Sequence, residues 1–317
     1  MTEKRMWNDK PYHSLDYELK KTFGKKVYKV SLDAGMTCPN RDGTLGTRGC
    51  IFCSAGGSGD FAIKEGAGVT EQIDRAIAHT SRYKNVGDTF IAYFQAYTNT
   101  YAPIEQLRAL YLEALSHPKV AVLSIATRPD CLDDEILSLL AECNRIKPVW
   151  IELGLQTVNE ATAAFIRRGY PLSVFDDAVE RLHRHGIMVI THVILGLPFE
   201  EKQDMLATIS HISSLPIQGV KLQLLHILKG TDLAAYVDKI KILSEYEYID
   251  LLIACIEALP PDIVIHRITG DGPKKDLLAP LWSADKRHVL NAIHKRMKEL
   301  GSYQGKCYFP SGTKEDI

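Results

Sequence analysis

The sequence predicts an α/β fold: a partial (β/α)6 barrel of the TIM type, made of parallel strands, with N- and C-terminal extensions. Three observations lead there. From residue 26 onward, short apolar and β-branched stretches alternate with amphipathic helical ones, the pattern of parallel β-α-β units. The chain has 317 residues, 45% of them hydrophobic, enough for one large core. Polar residues recur where the strands end, the rim at which parallel sheets gather ligands.

In chain order, residues 1–25 form the N-terminal extension, with a short helix at Tyr17–Phe23. Lys26–Leu32 is the first strand, and it runs into a cysteine-rich loop. Ser54–Gly59 reads as a flexible linker. A helix follows at Val69–Tyr83, with Thr70-Glu71 as cap chemistry. Then come strand Thr89–Ala96, helix Pro103–Ser116 and strand Val120–Thr127. The helix Asp133–Asn144 opens on Asp133, Asp134 and Glu135, which suit its positive end. Strand Val149–Leu155 precedes helices Asn159–Arg168 and Ser173–His185, the second ended by Gly186. Strand Ile187–Leu195, helix Glu201–Leu215, strand Gly219–Leu225 and helix Tyr246–Leu259 complete a barrel over 26–259, with about six strands. Pro260-Pro261 marks a joint to a C-terminal extension over 260–317, holding strand Ile263–Ile268 and helix Ala284–Leu300. No internal repeat is visible.

Net charge is −1, which gives no global pull toward nucleic acid or a membrane surface. The ends are locally richer in cations: residues 1–30 hold eight Lys/Arg against four Asp/Glu, and 262–317 hold ten against seven. No apolar run approaches the ~18 residues of a membrane span. The N-terminal residues lack the apolar core of a signal peptide. Seven cysteines, an odd number with no disulfide scaffold around them, fit a reducing, cytoplasmic setting.

Cys38, Cys50 and Cys53 fall within sixteen residues, in a glycine-rich loop that also carries Arg41 and Arg48. Clustered thiolates of this kind bind soft metals and iron–sulfur clusters. Three is one short of a closed four-ligand site, and an open position is where a metal does chemistry. The strands end on further polar sets: Gln95-Ala-Tyr-Thr-Asn-Thr100, Thr127-Arg-Pro-Asp130, Glu152 and Gln156, His192 with the turn Gly196-Leu197-Pro198, and His226 with Lys229-Gly-Thr231. Arg128 and Asp130 read either as ligand contacts or as an internal ion pair, the latter slightly favoured. Cys143 and Cys255 read as core, and Cys131 and Cys307 as non-ligands.

Cys-x11-Cys-x2-Cys, followed by Thr127-Arg-Pro-Asp130, Glu152-Leu-Gly-Leu-Gln-Thr157 and Leu195-Gly-Leu-Pro198, resembles the radical S-adenosylmethionine (SAM) enzymes. Within them the chain is most similar to the Elp3-like proteins of the YhcC/YtqA-type (MnmL) group, over about residues 7–305. Arg267-Ile-Thr-Gly-Asp-Gly-Pro273, Leu278-Ala-Pro-Leu-Trp282 and Gln304-Gly305 also look like that group. The commonest spacing in the superfamily is Cys-x3-Cys-x2-Cys; the longer first gap is a departure that this group shares.

The resemblance implies a [4Fe–4S] cluster held by Cys38, Cys50 and Cys53, with SAM chelating the open iron. SAM cleavage then gives methionine and a hydrogen-abstracting 5′-deoxyadenosyl radical. It places the SAM amino group near Gln95, Tyr97 and Asn99, with Gln156 as a further contact. Arg168 would pair with the SAM carboxylate or be a surface arginine. His192 would lie near the ribose or be a core histidine. Gly196 would turn beside the adenine. The implied substrate is tRNA, whose wobble uridine would pass from the 5-carboxymethylaminomethyl to the 5-aminomethyl form. A flavodoxin or ferredoxin would supply the electron, and a downstream methyltransferase would finish the side chain. Lys25-Lys26, Lys274-Lys275, Lys286-Arg287 and Lys295-Arg296 are candidates for phosphate contacts. Tyr and Trp near a rim are candidates for stacking on a base. The alternatives are a radical SAM enzyme acting on a small molecule or protein, a non-catalytic Zn or Fe–S module, and a cluster-free barrel lyase.

Overall fold

The computed structural model describes residues 6–57, 68–83, 87–270 and 272–309. Its elements follow the predicted rhythm: α1 (Leu15–Phe23), β1 (Tyr28–Leu32), α2 (Val69–Ser81), β2 (Phe90–Phe94), α3 (Ile104–Ser116), β3 (Val120–Thr127), α4 (Asp134–Ile146), β4 (Val149–Gln156), α5 (Glu160–Phe165), α6 (Leu172–Arg184), β5 (Met188–Leu195), α7 (Lys202–Ser213), β6 (Gly219–Leu224), β7 (Ile227–Leu228), α8 (Glu245–Ala258), β8 (Val264–Arg267), β9 (Leu277–Ala279) and α9 (Lys286–Glu299). The linker expected over 54–59 passes outside the described residues after Gly57.

Seven strands form one parallel sheet in the order β1-β2-β3-β4-β5-β6-β8, curled into a half-barrel. The seventh is the strand expected in the C-terminal extension. It joins the sheet because Gly219–Lys221 of β6 pair in parallel with Val264–Arg267, across one register shift after Val220. Its free edge is covered by the N-terminal segment: Ile265 N donates to His13 O at 2.7 Å. The short antiparallel pair β7–β9 was not expected. Strands of two and three residues carry no readable period.

Alternation along each strand separates two environments. Outward residues such as Val30, Phe94, Ile125, Ile151, Leu153, Val189 and Leu222 enter one large core beneath the helices. Inward residues Val27, Ile91, Val122, Trp150 and Ile190 close the bottom of the half-barrel with Leu19 of α1. A third cluster, including Ile51, Ile166, Ile194, Ile227 and Leu233, braces the cysteine loop from below. Cys143 and Cys255 lie fully buried in the helical layer, as expected.

Local chemistry sets the ends of elements. The Asp133 carboxylate accepts from Ile136 N at 2.8 Å and caps α4. Helix α5 stops sooner than the predicted Arg168, because Arg167 takes φ +58, outside helical space. Ahead of α7, Glu200 is buried, with the Thr157 and Thr162 hydroxyls near its carboxylate. Burial pushes its carboxyl up to about 7, and Asp204 adds to the shift. The folded chain thus keeps a proton that the unfolded chain releases, so stability present below the usual 4.5 is lost as pH rises toward 7. Glu200→Gln is expected to stabilise the protein at pH 8 by on the order of 2 kcal/mol and to be near neutral at pH 4, read from urea midpoints. A gain of equal size at both pH values would sink the idea.

Candidate active site

The cysteine loop leaves β1 through tight turns. Arg41 N donates to Cys38 O at 2.7 Å, and Cys53 N to Cys50 O at 3.0 Å. Arg41 then clamps the loop from within, its Nη2 donating to Cys53 O at 3.1 Å and Ser54 O at 2.6 Å. Asn40 Nδ2 ties the loop to the end of α5, at 2.7 Å from Arg167 O, and lies 3.4 Å from Cys50 Sγ. Ile51 N donates to Ile166 O at 3.1 Å, and Ile51 O accepts from Leu233 N at 2.9 Å.

Cys38, Cys50 and Cys53 are free, half-buried, and line the same cavity, of about 260 Å³, at the carboxyl ends of the strands. Burial pushes the Cys50 thiol up to about 12, and neighbouring Cys53 adds to it. Three ionised thiols at this spot need a cation among them. They are not already drawn to ligand distances: no group of three His, Cys, Asp or Glu among the described residues forms a ready metal site.

Gln95, Tyr97, Gln156 and His192 all line this cavity. Tyr97 and Gln156 both adopt left-handed backbone, φ +61 and +65, at the ends of β2 and β4. Strain of this kind gathers at functional sites. Tyr97 OH donates to Ala55 O at 2.6 Å, and its ring lies flush on Gly57, where any Cβ would collide with it. Gln156 folds back over Gly154, whose added Cβ would lie 2.7 Å from Gln156 Nε2. Tyr170 OH donates to Gly154 O at 2.8 Å and holds the same strand end.

Three further residues expected at the site also make contacts within the protein. Arg168 is fully buried, and its five N–H groups go to its own chain: Tyr170 O at 2.9 Å, Leu155 O at 3.3 Å, Thr157 O at 2.6 Å, and the Glu160 carboxylate at 3.0 and 3.1 Å. It braces the end of β4 and also lines the cavity. Asn99 is fully buried away from the cavity; its Nδ2 bridges Phe94 O at 3.1 Å and Ala126 O at 3.0 Å, tying β2 to β3. Gly196 lies behind the rim, with N donating to Met205 Sδ at 3.2 Å and Leu243 against it. Arg128 and Asp130 form the bidentate pair, at 2.9 and 2.7 Å, that the sequence favoured.

The interior holds a polar layer that motif reading missed. Glu152 of β4 is completely buried and receives donors from four other strands: Lys29 of β1, Ser124 of β3 at 2.8 Å, His192 of β5 at 2.9 Å, and Lys221 of β6. Lys221 Nζ also donates to Tyr93 OH of β2 at 3.2 Å. Burial alone would raise the Glu152 carboxyl, but Lys221 and Lys29 override it and hold it well below the usual range. Burial, helped by Lys221, pushes His192 down to about 4. His192 is therefore neutral at pH 7; its Nε2–H donates to Glu152 and Nδ1 is left as an acceptor on the cavity wall. Burial also lowers Lys221, to about 7, against the pull of Glu152. The signal available in the sequence was a lysine inside an apolar strand, Val220-Lys221-Leu222.

Residues 43–212 match the model of the radical SAM superfamily, and residues 217–299 that of the radical SAM C-terminal domain. The chain belongs to the radical SAM superfamily. Relatives match it over most of its length: YtqA of Bacillus subtilis is 45% identical over 302 residues, covering 95% of this chain and 94% of that protein. YhcC of Escherichia coli is 34% identical over 300 residues, covering 92% and 95%. These relatives place it in the Elp3-like YhcC/YtqA group. The solved Elp3 of Methanocaldococcus infernus shares the fold, with a TM-score of 0.66 at 16% identity, over 88% of this chain and 64% of that one.

Enzymes of this superfamily bind a [4Fe–4S] cluster and SAM, and the residues present fit both. The donor set is three soft sulfurs, which leaves one iron of such a cluster for another ligand. All three line the cavity with the polar rim of Gln95, Tyr97, Gln156 and His192, and that cavity is where a chelating ligand would enter. Among the described residues no helix is long and apolar enough to cross a membrane.

Proposed function

We propose that this radical SAM enzyme acts on tRNA, converting 5-carboxymethylaminomethyluridine at the wobble position to the 5-aminomethyl form. The observation that carries the reading is the likeness to YtqA and YhcC along nearly the whole chain. Cys38, Cys50 and Cys53 would hold the cluster, and Gln95, Tyr97 and Gln156 would face SAM. Together the two cofactors supply one-electron cleavage of the SAM carbon–sulfur bond and so the means to abstract hydrogen from an unactivated carbon. The protein's part is positional. Arg41 and Asn40 fix the loop, Tyr97 seals it against β2, and the neutral His192 offers an acceptor on the wall. The buried layer around Glu152 keeps the floor rigid and the water out.

Around the rim, Lys274 and Lys275 are exposed, two and three residues from Gly272 of the cavity wall, and Lys286 and Arg287 are exposed on α9. These are the expected phosphate contacts. Lys25 pairs with Asp88 at 2.6 Å, and Arg296 with Asp250 at 3.0 Å. A flavodoxin or ferredoxin as electron donor, and a methyltransferase acting afterwards, complete the reading. The test is mass spectrometry of tRNA nucleosides from cells lacking this protein. Accumulation of 5-carboxymethylaminomethyluridine is expected; an unchanged profile would favour a small-molecule or protein substrate.

A further inference from the structure

The inner face of the half-barrel holds more positive than negative charge at a depth where an unbalanced charge is expensive. Among the described residues of the polar layer, Lys29 and Lys221 stand against one carboxylate, Glu152. That carboxylate is saturated: Oε1 accepts from Lys29 and Ser124, Oε2 from Lys221 and His192. His192 adds no negative charge. Lys221 lines the cavity at 3% exposure and directs two of its three N–H bonds to Glu152 and Tyr93. One donor remains for a ligand. Arg267, its register partner on β8, also lines the cavity. A buried cation surplus is stable only when an anion completes it. One exposed to a cavity reads as half of a binding site.

We propose that Lys221 receives the carboxylate of the substrate's carboxymethyl group and makes the enzyme selective for an anionic side chain. This deepens the tRNA reading and rests on it. A carboxylate end-on to Lys221 lies on the floor, below the rim where the three sulfurs stand. Its neighbouring carbon is then presented upward, toward the end of the cavity where the cofactors bind. The same cation would also suit the carboxylate of SAM, so the test must tell the two sources apart.

The test uses full-length, cluster-reconstituted enzyme and two tRNAs, one carrying 5-carboxymethylaminomethyluridine and one its carboxamide. The wild type is expected to prefer the acid by roughly tenfold to a hundredfold in kcat/KM, the range for a charged hydrogen bond. Lys221→Met should bring that ratio close to one, and Lys221→Arg should retain most of it. SAM binding, measured by equilibrium dialysis, should stay unchanged in both. A wild-type ratio near one, or a ratio that Lys221→Met leaves intact, overturns the assignment. So does a tenfold loss of SAM affinity with the ratio intact, which would give the anion to the cofactor. If Lys221→Met does not fold, the double variant Lys221→Met/Glu152→Gln removes the buried charges together and gives the same readout. Turnover of neither tRNA refutes the tRNA reading alone. The inference is then judged by binding of N-methylglycine against N-methylglycinamide to the SAM-loaded enzyme. Preference for the acid that Lys221→Met abolishes supports it; equal binding or none overturns it.

Discussion

Cys50→Ala is expected to abolish SAM cleavage and to reduce bound iron from about four per chain to near zero after anaerobic reconstitution. The effect should be this complete because a cluster held by three thiolates has no spare protein ligand. The chain offers no replacement nearby: Cys143 and Cys255 are sealed in the helical layer, and Cys307 is exposed on the C-terminal tail. The fold should survive the change. The Cys50 sulfur has only weak protein partners, Asn40 Nδ2 at 3.4 Å and Arg167 O at 3.5 Å, and the loop is held by Arg41, Asn40 and Ile51. Iron content and 5′-deoxyadenosine release are the measurements, with Cys131→Ala as control. Cys131 is buried beside Asp130, outside the cavity, and its loss should leave iron unchanged. Full iron in Cys50→Ala, or iron lost equally in Cys131→Ala, would show that the loop is not the cluster's seat.

The parts of this site legible in the sequence were those governed by local spacing. Three cysteines within one loop, and polar residues at the ends of apolar strands, are patterns within a few residues of each other, and strand order follows from β-α-β handedness. Arg128 and Asp130 are two apart, so their pairing was readable too. The illegible parts depend on what lies across the barrel. Glu152 was visible as an acid on β4, but its partners come from β1, β3, β5 and β6, between 28 and 123 residues away. The partners of Arg168 were hidden for the opposite reason. Its position matched a cofactor contact, but the left-handed Arg167 turns the chain so that the guanidinium meets carbonyls of its own backbone. Asn99 likewise looked like a rim residue, yet two strand-end carbonyls take its amide inward. The pairing of the seventh strand with β6 was not readable because β7, α8 and Pro260-Pro261 intervene between the two.

Glu152→Ala should be the most damaging single change away from the cysteines, at about 3–5 kcal/mol of stability near pH 7. The size follows from what is left behind. Lys221 and Lys29 would lose the carboxylate that compensates them, and Ser124 and His192 would lose their acceptor. The pH dependence carries a distinct signature. Lys221, already lowered to about 7 by burial, binds protons less readily folded than unfolded, so its burden on stability lifts as pH rises from there toward 10.5. Without Glu152 that lowering deepens, so the deficit of Glu152→Ala against wild type should be largest on the acid side, at pH 6 and below, and level off above about pH 7. Glu152→Gln should fall between the two, because its amide still accepts from Ser124 or His192 while the charge is gone. Urea midpoints at pH 6, 7.5 and 9 decide the matter. A deficit that grows with pH would mean that Glu152 holds the half-barrel together by shape alone. The lysines would then be neutral passengers, and the cavity floor would have no positive charge to offer an anionic substrate.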